Sequence, residues 1–145
     1  MSLSDWLKAQ WLTEHKTAPQ EIADLLAVVD RDLNASAVKG LDDDWRLAIA
    51  YNAALQCATA ALAACGYRAS REAHHHRVIQ SLTYTIGAEA QLVAQLEAFR
   101  KKRNIGDYER AGVVSRAESA AMVTLAQSLR QEVGDWLRAN HPDLL

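Results

Sequence analysis

Hydrophobic residues recur every three or four positions along most of the chain, which is the spacing of amphipathic helices. The first long run lies between Pro19 and Gly40. Its apolar positions are Ile22, Leu25, Leu26, Val29, Leu33 and Ala37. Thr17 is a capping residue by type, and Pro19 suits the first turn that follows a cap. The pattern therefore predicts a helix that begins after Thr17 and ends near Gly40.

The next run, over residues 43–65, is apolar on nearly every side. Its members include Trp45, Ile49, Ala53, Leu55, Ala58 and Leu62. A helix without a polar face is buried in its protein, so we expect this to be the central helix, ended by Gly66. Asp42, Asp43 and Asp44 stand at its start. We interpret them as a cap that complements the helix dipole rather than as a metal site.

Less regular patterns predict the remaining elements. The first two are a leader helix over residues 4–12 (or a flexible arm) and a helix over 70–86 that Ser70 opens. The others are a helix over 88–103, a polar loop over 104–114, and a final helix that begins with a Ser115–Glu118 capping box and ends before Pro142. Short connections favour antiparallel packing of consecutive helices. We predict an all-α fold in one domain, residues 1–145. Its core is an up-and-down bundle of four to five helices over 18–140, with a short leader over 1–17.

The composition supports this prediction. Among 145 residues there are 27 alanines and 18 leucines, against one phenylalanine and six glycines. Alanine and leucine lose little conformational freedom in a helix. All-β and Rossmann-type folds do not fit such a composition. A chain of this length forms one domain with a core of its own.

Charge and cysteine content indicate the compartment. With a formal net charge of −2, only a local basic patch could attract nucleic acid. Cys57 and Cys65 lie eight positions apart in the predicted central helix. Eight residues rise about 12 Å, beyond the reach of a disulfide. Reduced cysteines, no signal peptide at the N-terminus and no run of membrane-spanning length lead us to expect a cytoplasmic protein without membrane contact.

Three consecutive histidines form the first candidate for chemistry. His74, His75 and His76 point about 100° apart on a helix, so they cannot ligate one metal, and we expect neither metal nor cofactor. His75 alone shares a stripe with Ile79 and Leu82, so it should face the bundle. It is either a half-buried histidine bonded to a carbonyl, or an acid/base group or phosphate ligand.

The second candidate is the basic run Arg100, Lys101, Lys102 and Arg103. Arg103 lies on the apolar stripe of its helix and should point inward, whereas Lys101 and Lys102 should point to solvent. An inward arginine needs a partner, because an unpaired buried charge is costly. We consider two partners: a structural salt bridge to Asp107, or the phosphate of a ligand.

The order of three segments resembles a known family. AYNAALQCATAALAACGYR (50–68), HHHRVIQSL (74–82) and FRKKRNIGDYE (99–109) are similar to small prokaryotic proteins of the HEPN superfamily, over about residues 20–140. The resemblance implies a helical bundle that forms a homodimer with a functional groove at the interface. Many HEPN proteins are metal-independent ribonucleases of toxin–antitoxin, defence or RNA-processing systems. Trp6 and Trp11 could contribute to the dimer contact or instead cover a neighbouring helix.

The family motif is an arginine, a polar residue, a short spacer and a histidine. Arg103 and Asn104 match its first half, but Gly106, Asp107 and Tyr108 stand where the histidine would fall. The resemblance therefore makes Arg103 and Tyr108 candidate catalytic residues, with His75 as a substitute for the missing histidine. A tyrosine with a pKa near 10 is a poor base at neutral pH. The candidate binding residues for nucleotide or nucleic acid are Arg100, Lys101, Lys102, Arg103 and Asn104.

Three hypotheses follow. The first is a module that binds nucleotide or RNA with a degenerate catalytic motif, acting beside a nucleotidyltransferase partner. The second is an active metal-independent ribonuclease that uses Arg103 for the developing phosphate charge and His75 or Tyr108 for proton transfer. The third is a structural or regulatory dimer without a ligand. In that case Arg103, Asp107 and Tyr108 would form a polar lock.

Overall fold

Helices dominate the structure, which confirms the all-α prediction. The computed structural model describes residues 1–108 and 113–145, and for residues 105–108 it describes the helical backbone. In chain order the elements are α1 (Leu3–Lys8), β1 (Leu12–Glu14), α2 (Pro19–Ser36), α3 (Asp43–Ala64), β2 (Tyr67–Ala69), α4 (His74–Ser81), α5 (Ala90–Tyr108) and α6 (Arg116–Asn140), with a 3₁₀ turn at Pro142–Leu144.

Helix α3 is the centre of the bundle, as its apolar composition predicts. It contacts α2, α4, α5 and α6, and most of its side chains are fully buried. Arg46 near its start donates a hydrogen bond to the carbonyl of Ser36 at the end of α2, and Thr17 just before α2 donates to the carbonyl of Ala63 at the end of α3, so α2 and α3 are antiparallel. Asp43 accepts a hydrogen bond from Ser119 in the first turn of α6, and Cys57 further along α3 lies near Arg130 further along α6, so α3 and α6 are parallel. Gly66 follows α3 with a φ of +90°, which glycine adopts without strain.

By length and composition alone, α3 is also the one helix in the described ranges that could cross a membrane. Its most apolar stretch is 72% buried inside the bundle, and a buried core helix has the same length and composition as a membrane-spanning one. Trp45 of α3 was expected in the core, but it is 63% exposed, so this part of the prediction is wrong.

The leader helix is shorter than predicted, because α1 ends at Lys8 and Leu12 begins a strand. Strand β1 pairs antiparallel with β2, with Thr13 opposite Arg68. Trp6 is buried and packs edge-on against Trp11 at 5.6 Å between ring centroids. The two tryptophans therefore cover the chain's own bundle. Strand pairing here depends on partners 55 residues apart, which local periodicity cannot reveal.

Two residues that were predicted to begin helices, Thr17 and Ser70, do not occupy the capping positions. Thr17 does not cap α2. Its hydroxyl donates to the carbonyl of Ala63 at the end of α3, and Ala18 occupies the capping position. Ser70 does not open α4, because its hydroxyl donates to the carbonyl of Gln10 in the leader. The Ser115–Glu118 capping box of α6 is confirmed. The conformation of the chain before a helix, and not the residue type alone, thus decides whether a Ser or Thr caps it.

Helices α4 and α5 also differ in length from the prediction. Helix α4 begins at His74, after Ala73 in a left-handed conformation, and gives way to turns after Ser81. Helix α5 runs from Ala90 to Tyr108, so residues 104–108 are helical where a loop was predicted. Lys102 pairs with Glu118 of α6 at 3.3 Å. This contact ties the last turns of α5 to the bundle where local polarity alone favours a loop.

Candidate functional site

A buried tyrosine lies at the centre of the candidate site. Tyr51 projects from α3 and is 1% exposed. Its hydroxyl lies 3.4 Å from Nδ1 of His75 on α4, and the two rings are tilted at 6.1 Å between centroids. His75 is half-buried and faces the bundle as predicted. Three helices contribute to this site, because Arg103 of α5 also lies near the Tyr51 ring.

Arg103 of α5 contacts the same tyrosine. Its guanidinium carbon lies 5.5 Å from the centroid of the Tyr51 ring, within range of a cation–π interaction. Arg103 is half-buried, in agreement with the inward position predicted from its stripe. Tyr51 thus brings His75 and Arg103, two residues 28 positions apart in the sequence, to one place. We name Tyr51, His75 and Arg103 the tyrosine cluster.

The remaining basic residues of the run separate from one another. Arg100 forms an ion pair with Glu97, with Nη2 2.9 Å from Oε2. Lys102 is 27% exposed at its side chain and pairs with Glu118, so the prediction that it points to solvent is wrong. Lys101 and Asn104 are exposed. The run is therefore not a uniform basic face, since Glu97 and Glu118 balance two of its four charges.

The three histidines each contact a different neighbour, as their angular spacing requires. His74 Nδ1 lies 3.2 Å from the carbonyl of Ser70, and His76 Nδ1 lies 3.0 Å from Oε1 of Glu97. All three histidines are half-buried, so the expectation that His75 alone faces the bundle is wrong. Glu97 consequently bridges His76 and Arg100, and it connects α4 to the basic run on α5.

The electrostatics of the cluster favour neutral rings. Burial raises the pKa of Tyr51 to about 12, against an opposing effect of Arg103. Burial, followed by the positive charge of Arg103, lowers the pKa of His75 from its usual 6.5. At neutral pH the phenol therefore keeps its proton and the imidazole is uncharged. Two neutral hydrogen-bonding groups then stand beside a permanent guanidinium charge.

This arrangement permits two kinds of chemistry at His75. When the Tyr51 hydroxyl donates to Nδ1, the ring proton resides on Nε2, which can donate to a phosphate oxygen. When Nδ1 carries the proton, Nε2 has a free lone pair and can act as a base. Either form is compatible with an anion bound by Arg103.

The remaining predictions concern residues 106–108 and a metal site. For Gly106, Asp107 and Tyr108 the structure describes the helical backbone alone, so the Arg103–Asp107 bridge and the catalytic role of Tyr108 stay predictions. Among the residues that the structure describes, no group of three or more histidine, cysteine or acidic side chains could hold a metal ion.

Sequence reasoning missed Tyr51 and Glu97. Tyr51 was hidden in an alanine-rich stretch, where an aromatic residue is ordinarily read as core. One signal was available, because a phenol in a buried helix needs a partner for its hydroxyl. Glu97 had one local signal, its i,i+3 spacing from Arg100, but its contact with His76 of α4 depends on how the helices pack.

Comparison of the chain with protein-family models, with curated proteins and with solved structures yields no match.

Proposed function

We propose that this protein binds the phosphate groups of a nucleotide or a nucleic acid at the tyrosine cluster, as a HEPN-like module with a degenerate catalytic motif. One observation carries the proposal: His75 and Arg103 meet on Tyr51, although they come from different helices. A guanidinium is the side chain best suited to phosphate, because its planar donors match the phosphate oxygens.

Few other cations reinforce this contact. Lys101, two positions before Arg103, is exposed, while Arg100 and Lys102 are paired with glutamates. Binding should therefore engage one or two phosphates. For single-stranded nucleic acid the logarithm of the association constant should fall with log salt by about 0.7 per phosphate contacted. A shallow salt dependence distinguishes this site from an extended basic surface.

The test is binding of single-stranded RNA and of a nucleotide in EDTA, measured for wild type, Arg103→Ala and Arg138→Ala. Arg138 is an exposed arginine near the end of α6 and serves as the matched control. We expect Arg103→Ala to weaken binding at least about tenfold, as for a lost charge-assisted hydrogen bond. Equal binding by all three proteins would remove the tyrosine cluster from consideration.

A second function, metal-independent RNA cleavage, is favoured by the lowered pKa of His75 beside Arg103. A neutral imidazole can take the proton of a ribose 2′-hydroxyl. The 2′-oxygen then attacks phosphorus while the bond to the 5′-oxygen breaks, and the 5′-oxygen leaves with a proton from the solvent or the imidazolium. Arg103 would stabilise the charge that develops on the phosphoryl oxygens. The products are a 2′,3′-cyclic phosphate and a 5′-hydroxyl.

His75→Gln separates the two functions. If the protein cleaves RNA, this change should abolish cleavage while binding persists, and Arg103→Ala should remove both. Cleavage that survives both changes would exclude the tyrosine cluster as the catalytic site. Binding without cleavage in wild type supports the degenerate module.

A homodimer forms part of the proposal. Helices α5 and α6 are separated by an apolar groove with a volume of about 560 Å³, lined by Leu92, Phe99, Leu125 and Leu129 among others. A second copy of the chain would cover this surface. Light scattering should give twice the mass of 16.0 kDa. Thr124→Arg, which places a charge at an exposed position of the groove, should give the monomer.

The wider role that we propose is in a toxin–antitoxin or defence-type system with a nucleotidyltransferase partner. This part rests on the resemblance of residues 20–140 to small HEPN proteins. Co-purification of the tagged protein from its native cells tests it, with the Arg138→Ala protein as control. Recovery of a nucleotidyltransferase supports the partner, and its absence under conditions that preserve the dimer argues against it.

A further inference from the structure

A second polar cluster lies at the neighbouring face of α4, next to the two-stranded sheet. It surrounds a cavity with a volume of about 290 Å³. The apolar part of the lining comes from Leu25, Leu62, Ala63, Ala69 and Val78. The polar part comes from His15, Glu21, Arg68 and His74. An apolar pocket with a few polar groups that converge on it is the usual form of a small-molecule site.

The histidine and the glutamate of this pocket are bound to each other. Nε2 of His15 lies 2.7 and 2.9 Å from the two carboxylate oxygens of Glu21. A carboxylate only accepts hydrogen bonds, so Nε2 carries the proton and donates it to Glu21. The acidic group of the pocket is thereby already engaged by a donor of the chain itself.

Arg68 lines the same cavity, and its guanidinium lies near the side chain of His15. Its Nη2 lies 3.4 Å from Nε2 of His15, but both nitrogens are donors at this contact, so it is not a hydrogen bond. Arg68 is exposed, and among the side chains that the structure describes, those of residues 1–104 and 113–145, no carboxylate forms an ion pair with it. A planar guanidinium thus stands beside an apolar cavity without a carboxylate of the described chain.

His74 completes the polar edge. Its Nδ1 donates to the carbonyl of Ser70 at 3.2 Å, because a carbonyl oxygen only accepts. This bond fixes the ring orientation, and the adjacent strand β2 fixes the position of Arg68. Before any ligand binds, His74 is thus oriented by a backbone carbonyl, and the backbone of Arg68 is positioned by the sheet.

We propose that this pocket binds a small monocarboxylate with a compact apolar body. The carboxylate would pair with Arg68, and the apolar body would contact Leu25, Leu62 and Val78. The volume of about 290 Å³ lies at the lower end of ligand pockets, which limits the body to a short aliphatic chain or one aromatic ring. The proposal is independent of the phosphate site, which uses other residues.

The test uses hexanoate and benzoate as probes, with hexylamine and hexanol as partners of matched body and different head group. Binding is followed by two-dimensional NMR of the labelled full chain at neutral pH. We expect the two carboxylates to shift resonances of residues that line the pocket and the amine and the alcohol to bind more weakly. Failure of both carboxylates to bind at millimolar concentration would overturn the proposal.

Arg68→Gln and Arg71→Gln provide the paired variants. Arg71 is an exposed arginine three positions away that does not line the pocket. Loss of the charge-assisted contact should raise the dissociation constant of hexanoate about tenfold or more in Arg68→Gln, and less than about twofold in Arg71→Gln. Equal affinity in both variants, or equal affinity of wild type for hexylamine and hexanoate, would also overturn it.

Discussion

The two polar sites at neighbouring faces of α4 use the same residue types in different surroundings. In the tyrosine cluster, His75 contacts the neutral phenol of Tyr51 and lies near the charge of Arg103. In the pocket beside the sheet, His15 contacts the carboxylate of Glu21 directly. One imidazole is held against a positive charge and the other against a negative charge.

This difference teaches that a histidine's neighbours decide its use. A histidine beside a guanidinium stays neutral at lower pH and can act on an anion that the guanidinium binds. A histidine bound by a carboxylate has its donor occupied and serves as a fixed part of the pocket wall. Both surroundings depend on tertiary contacts, because the neighbouring charges come from other elements of the fold.

Removal of the Tyr51 ring should have the largest effect on this comparison. Tyr51→Ala should lower the free energy of unfolding by about 3–5 kcal/mol, as for other buried aromatic residues. Tyr51→Phe keeps the ring and should cost about 1 kcal/mol, because only the contact with His75 is lost. Urea denaturation measures both. Similar losses in the two variants would show that the hydroxyl, and not the packing, dominates.

Two glutamates allow the surroundings of the sites to be compared: Glu97 lies beside the tyrosine cluster, and Glu21 lines the pocket. Glu97 is 14% exposed and holds both His76 and Arg100. Glu97→Ala should lower the free energy of unfolding by about 2 kcal/mol, because it leaves half-buried donors without their acceptor. Chemical denaturation of this variant beside wild type checks the value. No change would mean that the bridge between α4 and α5 adds nothing to stability.

Glu21→Ala should cost less, about 0.5–1 kcal/mol. Its side chain is 31% exposed, and pairs that remain in contact with water contribute little. The same denaturation series measures it. A loss for Glu21→Ala as large as that for Glu97→Ala would contradict the order of burial that separates the two sites.

The charge on Arg103 can be tested at His75 itself. Arg103→Gln should raise the pKa of His75 toward 6.5, since it removes a positive charge that disfavours the imidazolium. Arg100→Gln should raise it less, because Arg100 is a smaller cause. NMR titration of the ring protons gives both values. A His75 pKa that is equal in wild type and Arg103→Gln would show that the charge of Arg103 does not act on His75.

The smallest effect expected is a pH dependence of stability. Because the pKa of His75 is lowered in the folded state, the unfolded chain binds more protons just below pH 6.5. Stability should therefore fall as the pH falls through 6.5, and this contribution should level off below the folded pKa. His75→Gln should show a flatter profile than wild type over the same range. Parallel profiles would exclude His75 as a source of the dependence.

Sequence reasoning located the elements whose signals are local. The start of α6 followed from its capping box, and the bounds of α3 followed from its apolar run and Gly66. The inward position of Arg103 followed from helical spacing. Each of these features depends on residues within a few turns of one another, so the sequence contains the whole signal.

Predictions were wrong where a distant partner competed with the local signal. Thr17 and Ser70 were expected to cap helices, but their hydroxyls bond to carbonyls far away in the sequence. The pairing of β1 with β2 has the same origin. Lys102 was expected in solvent and instead pairs with Glu118 of the next helix.

The sequence by itself determined an all-α bundle with an apolar central helix, because alanine and leucine content, helical spacing and caps act over short distances. Only the tertiary structure decided that His75 and Arg103 share Tyr51, and that Arg68 stands beside a cavity while His15 binds Glu21. These arrangements join residues from separate elements, and their geometry is set by how the helices pack.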